Sequence, residues 1–177
     1  VEWQRHGERY VYEDPWLSVS LVDVEIPGIR RFEHHVAHTA DAAGVLMVDT
    51  EDRVLLLWRH RFVADRWGWE IPAGRIDPGE TPEEAARREG REETGWEPGP
   101  LRPLVRFHPI AGVVDAEFHA FVADGATHVG APTDPAEVDR LEWVDRARLR
   151  ELLLGDQVQD GLSLLACTWW LAFGTPS

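Results

Sequence analysis

Three glutamates, Glu89, Glu92 and Glu93, stand three and four residues apart within a segment that carries strong helix signals. On a helix they share one edge about one turn long. Like charges so placed destabilise a helix unless a cation sits among them. Hard divalent ions take oxygen ligands, and Mg²⁺ in particular combines a few carboxylates with waters and substrate phosphate oxygens. The spacing therefore points to a Mg²⁺–phosphate site, with Mn²⁺ as a second ion suited to the same donors. Arg88 is placed to pair with Glu92 or Glu84 and to hold the carboxylates in orientation. From Glu70 to Glu97 nine acidic residues face four basic ones, a net of −5. Such density alone also describes a solvated helix face, and the three-and-four spacing is what separates the two readings.

These residues need a helix and a turn to hold them. Thr81, Pro82 and Glu84 form a capping-box start, and Gly95 supplies the stop, so a helix is expected from Pro82 to about Thr94. Upstream, residues 44–48 and 54–59 are apolar runs joined by a polar connection of hairpin length. Residues 67–71 read as a further strand ended by Pro72, Ala73 and Gly74. Two or three short strands are expected within residues 9–38, and later strands at 101–107, 118–122 and 141–144. Helices are expected at 146–154 and 161–173, the last largely buried. The order suggests a mixed sheet between helices rather than a regular βαβ succession. His34, His35 and His38 read as scattered strand residues, and Cys167 and most tryptophans as core, with Trp16 a weaker candidate for base stacking.

Composition removes several classes of function. The chain has 177 residues, 18 basic against 32 acidic, and a formal net charge of −14. Every basic residue is arginine, which excludes a Gly-Lys-Ser/Thr phosphate loop, a Schiff-base cofactor and a lysine nucleophile. None of the four serines lies in a Gly-x-Ser-x-Gly elbow, and the single Cys167 can form neither an internal disulfide nor a multi-cysteine zinc site. The acidic balance argues against nucleic acid and anionic membrane as partners. The apolar stretches are far shorter than the roughly 20 residues that span a bilayer, and residues 1–6 lack the pattern of a secretory signal. A cytoplasmic protein is the expectation.

Gly74, Glu80, Arg88, Glu89, Glu92, Glu93 and Gly95 together resemble the Nudix box, Gly-x5-Glu-x7-Arg-Glu-U-x-Glu-Glu-x-Gly-U with U apolar, at seven defined positions in 23. The U positions hold Gly90 and Trp96. The lead-in from Trp69 to Gly74, His60-Arg61 and the stretch from Gly155 to Ser163 are similar to the ADP-ribose pyrophosphatase branch of that family. Where that branch tends to carry a proline, this chain has Ala111, with Pro109 two places earlier, which leaves the exact nucleotide sugar open.

The resemblance implies an α/β/α sandwich with a mixed sheet over residues 41–177, preceded by a small β subdomain over 1–40 through which such enzymes commonly form homodimers. It implies that Glu89 and Glu93 bind metal directly, with Glu92 taking part directly or through water and the Ala73 carbonyl adding an oxygen. Gly74, Glu80, Arg88 and Gly95 then brace the loop and helix. The catalytic base is expected from a loop before a late strand, Glu137 first and Asp134 second, with Glu92 also counted as catalytic. Arg61 is the expected phosphate ligand, since a guanidinium forks two donors onto phosphate oxygens, and Glu117 or Asp115 the expected contact to ribose hydroxyls. The implied activity is hydrolysis of a nucleoside diphosphate linked to a second group, with ADP-ribose giving AMP and ribose 5-phosphate as the first substrate. Another nucleotide sugar, an oxidised nucleoside triphosphate, or a non-catalytic nucleotide sensor are the alternatives.

Overall fold

The structure is a computed structural model that describes residues 1–133 and 138–175. The described chain forms two compact units, one of residues Val1–Asp41 with His108–Glu117 and one of the remainder.

In the first unit, β1 (Gln4–Glu13), β2 (Ser18–Ile26) and β3 (Arg30–His38) form an antiparallel sheet in that order. The β2–β3 turn places Gly28 at φ 75°, a conformation that favours glycine. β1 is exposed along its whole length, and ion pairs such as Arg9 with Glu33 tie the sheet together. Residues 108–117 dock on β3: Ala37 N–H donates to Val113 O at 2.8 Å, His34 Nε2 lies 2.7 Å from Gly112 O, and His38 Nδ1 lies 2.5 Å from Asp115 Oδ2. His34 and His38 thus share a docking role on one face of β3. His38 Nε2 also lies 2.8 Å from Ser20 Oγ, which gives the spacing of a nucleophilic triad. Ser20 is fully buried and its hydroxyl donates to Glu8, so it has no access to a substrate and serves packing.

The second unit contains β4 (Ala42–Val48), β5 (Val54–Arg61), β6 (Arg66–Glu70), β7 (Ala73–Arg75), α1 (Pro82–Thr94), β8 (Trp96–Pro98) and β9 (Leu101–Phe107). After the excursion through 108–117 it continues with β10 (Phe118–Asp124), β11 (Ala126–His128), β12 (Arg140–Val144), α2 (Arg146–Leu154) and α3 (Gly161–Phe173). The main sheet runs β12-β5-β4-β10-β9, with β6 on β5 and β7 on β4; β4 and β10 are parallel and the other pairs antiparallel. The expected hairpin of β4 and β5 pairs at Val48–Val54 and then parts, because each strand takes a different second partner further along.

Period-two alternation on these strands builds two cores. Leu46, Leu56 and Val122 face one way, against Leu149 and Leu152 of α2 and Leu162, Ala166 and Trp170 of α3. Val45, Met47, Leu55 and Phe121 face the other way, against Ala85 and Ala86 of α1. The result is a three-layer α/β/α sandwich. Cys167 lies in the α3 core, where burial pushes its thiol up to about 12. Gly90 brings α1 down onto the sheet: a Cβ there would sit 2.8 Å from Pro98 Cγ and 3.0 Å from Val45 Cγ1, so neighbouring side chains fill the space an apolar residue would take.

Candidate active site

Local sequence chemistry sets α1 in place. The Thr81 hydroxyl accepts from Glu84 N–H at 3.3 Å while the Glu84 carboxylate accepts from Thr81 N–H at 2.8 Å, so the capping box closes in both directions. Gly95 ends the helix at φ 72° and donates its N–H to Arg91 O at 2.8 Å. Glu84 is spent on the cap. Arg88 instead donates to Glu80 through Nε and Nη2 at 2.9 Å each, to Arg75 O at 2.9 Å, to Glu89 at 2.5 Å and to Glu92 at 3.4 Å. One guanidinium therefore joins the loop before α1 to two carboxylates on its edge. The Glu80 contacts, followed by those from Glu89, hold Arg88 firmly protonated, and Arg88 in turn holds the Glu80 carboxyl below its ordinary range.

The Ala73–Gly74 turn lies directly against this edge. Ala73 N–H donates to Glu93 Oε2 at 2.9 Å. A Cβ at Gly74 would overlap the Glu89 carboxylate, so glycine is required for Glu89 to come this close to the turn. Glu92 is the most open of the three, with 39% of its side chain exposed, against 6% for Glu93.

Beneath α1 is a second set of charges. Arg59 of β5 donates to Glu93 Oε1, and its Nη1 lies 3.9 Å from Glu70 Oε2, with both side chains about 5% exposed. Arg61 forks onto Glu70 at 2.6 to 3.2 Å. Glu93, Arg59, Glu70 and Arg61 thus alternate in sign from the core to the surface, where a cleft of about 220 Å³ is lined by Arg61, Arg66, Trp67, Glu70 and Asp160 among others. Burial pushes the Glu93 carboxyl up to about 7, against the pull of the Arg59 guanidinium and the Ala73 N–H.

The structure gathers Ala73, Gly74, Glu80, Arg88, Glu89, Glu92 and Glu93, and links Arg61 to them through Glu70 and Arg59. Glu117 and Asp115 lie in the first unit, where Glu117 N–H donates to Asp41 at 2.8 Å and Asp115 holds His38. Glu137 and Asp134 lie outside the described residues. Arg59 is the functional-site residue that sequence reasoning missed. Its signal is a basic residue continuing the Leu55, Leu57 face of a buried strand, where an unpaired charge would be costly.

Among the described residues no three His, Cys, Asp or Glu side chains are gathered closely enough to cage a metal ion, and arginines hold the helix glutamates in position. The donor set nonetheless suits a hard divalent ion. All of its donors are oxygens, and the missing Cβ of Gly74 leaves a cradle that Glu89 fills.

A three-layer sandwich with an acid-edged helix behind a glycine turn defines the class. The NUDIX domain model matches residues 38–165, and the chain belongs to that family. It is similar to the CMP-5'-(N-acetyl-N-hydroxy-3-aminopropyl)phosphonate hydrolase of Streptomyces rubellomurinus (strain ATCC 31215), at 42% identity over 86% of this chain and 74% of the relative. It is also similar to the ADP-ribose pyrophosphatase of Bacillus subtilis (strain 168), at 28% identity over 82% of this chain and 77% of the relative. A crystal structure of an ADP compounds hydrolase shares the fold at TM-score 0.82 and 20% identity, covering 97% of this chain and 95% of the other. The chain is a Nudix hydrolase acting on pyrophosphate bonds, a reaction that generally uses a divalent metal. No helix among the described residues is long and apolar enough to cross a membrane.

Proposed function

We propose that this enzyme hydrolyses the phosphoanhydride of a nucleoside 5'-monophosphate joined to a second phosphoryl group, with Mg²⁺ as the ion. ADP-ribose is the first substrate, giving AMP and ribose 5-phosphate with the addition of one water. The observation that carries this reading is the pair of carboxylates, Glu89 and Glu93, held against the Ala73–Gly74 turn.

Glu89, Glu93 and the Ala73 carbonyl would hold the ion, with Glu92 on the same open edge of α1 as a further ligand or through water. A divalent ion held there would supply neutralisation of pyrophosphate charge and a more acidic water. The chain's own residues do the rest. Arg88 and Glu80 keep the helix edge and the loop in register, with Gly74 and Gly95 permitting the close approaches. Arg61 stands at the mouth of the cleft, half exposed, to take a phosphate oxygen. Glu137, with Asp134 as its alternate, accepts the proton of the attacking water, and Glu117 meets the ribose hydroxyls. The strand subdomain of residues 1–40 serves as a dimerisation module, and the protein works in the cytoplasm on a small nucleotide, without nucleic acid or membrane partners.

A second substrate has its own support. The 42% identity to an enzyme named for a CMP-linked phosphonate favours an anhydride between CMP and a phosphonate, cleaved by the same chemistry. Incubation with ADP-ribose, GDP-mannose, 8-oxo-dGTP and a CMP-phosphonate anhydride under Mg²⁺, with products resolved by chromatography, separates the readings. AMP and ribose 5-phosphate as the fastest products support the first, CMP and free phosphonate the second. No turnover of any substrate in the panel removes both.

A further inference from the structure

A buried arginine commonly balances a buried carboxylate, but Arg59 is built for more than balance. Both oxygens of Glu93 are taken: Oε2 by the Ala73 N–H at 2.9 Å and Oε1 by the Arg59 guanidinium. Two donors on two different oxygens fix the plane of a carboxylate as well as its charge. The donors come from two different elements, the β7 turn and the middle of β5, so the plane is set by the sheet and not by the helix that carries Glu93. Arg59 is itself held. It reaches toward Glu70 at 3.9 Å, and Glu70 is anchored by the two-point fork of Arg61. A guanidinium suits this position because its planar fork meets two carboxylates at once, which a lysine ammonium on a flexible stem does not reproduce.

We infer that Arg59 is a positioning residue that fixes the Glu93 carboxylate in its metal-ligating orientation. The inference rests on the reading of Glu93 as a metal ligand and adds to it the group that aims the ligand. Outer partners of ligating side chains typically govern metal affinity by about ten- to a hundredfold. Arg59 does this from a buried position, with about 5% of its side chain exposed. A balance-only role would be filled by any cation at this position, so Arg59→Lys would then restore parent-like affinity in full, whereas a positioning role leaves part of the loss in place.

The test is Mn²⁺ binding to the full chain in the absence of nucleotide, read from the electron paramagnetic resonance signal of the free ion. Arg59→Met, Arg59→Lys and Glu93→Gln are compared with the parent, each checked for its fold by near-ultraviolet circular dichroism. Arg59→Met is expected to weaken Mn²⁺ binding about tenfold or more. Arg59→Lys is expected to recover part of the loss. At saturating Mn²⁺ the Met variant is expected to keep the parent KM for substrate and lose kcat. Should the Met variant not fold, Arg59→Gln, which retains one donor, is expected to weaken binding by a smaller factor.

Parent-like Mn²⁺ affinity in a folded Arg59→Met or Arg59→Gln variant overturns the inference. Weak binding in Glu93→Gln beside parent-like binding in the Arg59 variants sinks the positioning role alone. Parent-like binding in Glu93→Gln sinks the metal reading of Glu93, and the role of Arg59 goes with it.

Discussion

Arg88 and Arg59 both donate to glutamates of α1, from different elements and by different means. Arg88 is on the helix itself, part-exposed, and bonds to Glu80, Glu89, Glu92 and the Arg75 carbonyl. Its work is local, drawing a loop onto the helix that follows it. Arg59 is on a strand, buried, and meets Glu93 from below in company with Glu70. Surface charge pairs are screened by water and worth little each, whereas removing one partner of a buried pair leaves a charge without solvent or counter-ion. The same residue type therefore braces the exposed edge of the site and aims its buried edge. The exposed network tolerates loss of a member because others remain, and the buried one does not.

The largest test of that contrast is Glu93→Gln. If the buried carboxylate is at the reaction centre, kcat with saturating Mg²⁺ falls by about 10³-fold, of the order seen when an electrostatic contributor to a transition state is removed. A loss smaller than tenfold would place the chemistry at the exposed edge and break the comparison. Gly74→Ala comes next and probes the exposed edge without changing a charge. The atoms nearest the new methyl group are the carboxylate of Glu89, the flexible end of that side chain, so the fold gives way easily while the carboxylate is displaced. Activity is expected to fall by about 10²-fold, as for an ångström-scale misplacement near the chemistry. The melting temperature is expected to stay close to the parent's, and a large drop in it would show that Gly74 serves stability instead.

How far the sequence reveals these two edges follows from contact range. The α1 network was legible because each of its signals is local: a capping box three residues long, glutamates three and four apart, a glycine stop. Arg88 could be placed beside Glu92 from spacing alone, although Glu84 could not be set aside until its carboxylate was seen on the cap. Arg59 lies 34 positions from Glu93, and only the pairing of β5 with its neighbours brings them together. The docking of 108–117 on β3 hides in the same way, since Ala37 and Val113 meet with Ala42–Phe107 of the second unit between them in the chain. Gly90 shows the limit of pattern reading: the absence of a side chain makes sense only once Pro98 and Val45 are seen to occupy its place.

The smaller predictions sharpen the exposed side. Arg88→Met retains a long side chain and removes five donor contacts, so unfolding free energy is expected to drop by about 1 to 2 kcal/mol in chemical denaturation. An unchanged midpoint would mean that the carboxylates repel one another no more when their counter-ion is gone.

The smallest effect, and the one whose sign is most telling, belongs to Glu80. The Arg88 hydrogen bonds, helped by the Asp77 N–H, hold its carboxyl below the ordinary value of 4.5 in the folded protein. The folded form therefore binds this proton less readily than the unfolded chain does, and the contact stabilises the protein only while Glu80 is ionised. Its contribution is fully present above about pH 4.5 and is lost as the pH falls through the lowered folded value. Denaturation of Glu80→Gln against the parent should show a deficit of about 0.5 to 1 kcal/mol at pH 7. The two curves should converge in acid, where the parent's carboxyl is as neutral as the amide. A deficit that persists in acid well below the lowered folded value would mean that Glu80 holds the loop by shape and hydrogen bonding to Asp77 N–H and not by its charge on Arg88. The Glu80 contacts of Arg88 would then be incidental to the loop, while its bonds to Glu89 and Glu92 and the buried Arg59–Glu93 pair would still hold the carboxylates of α1.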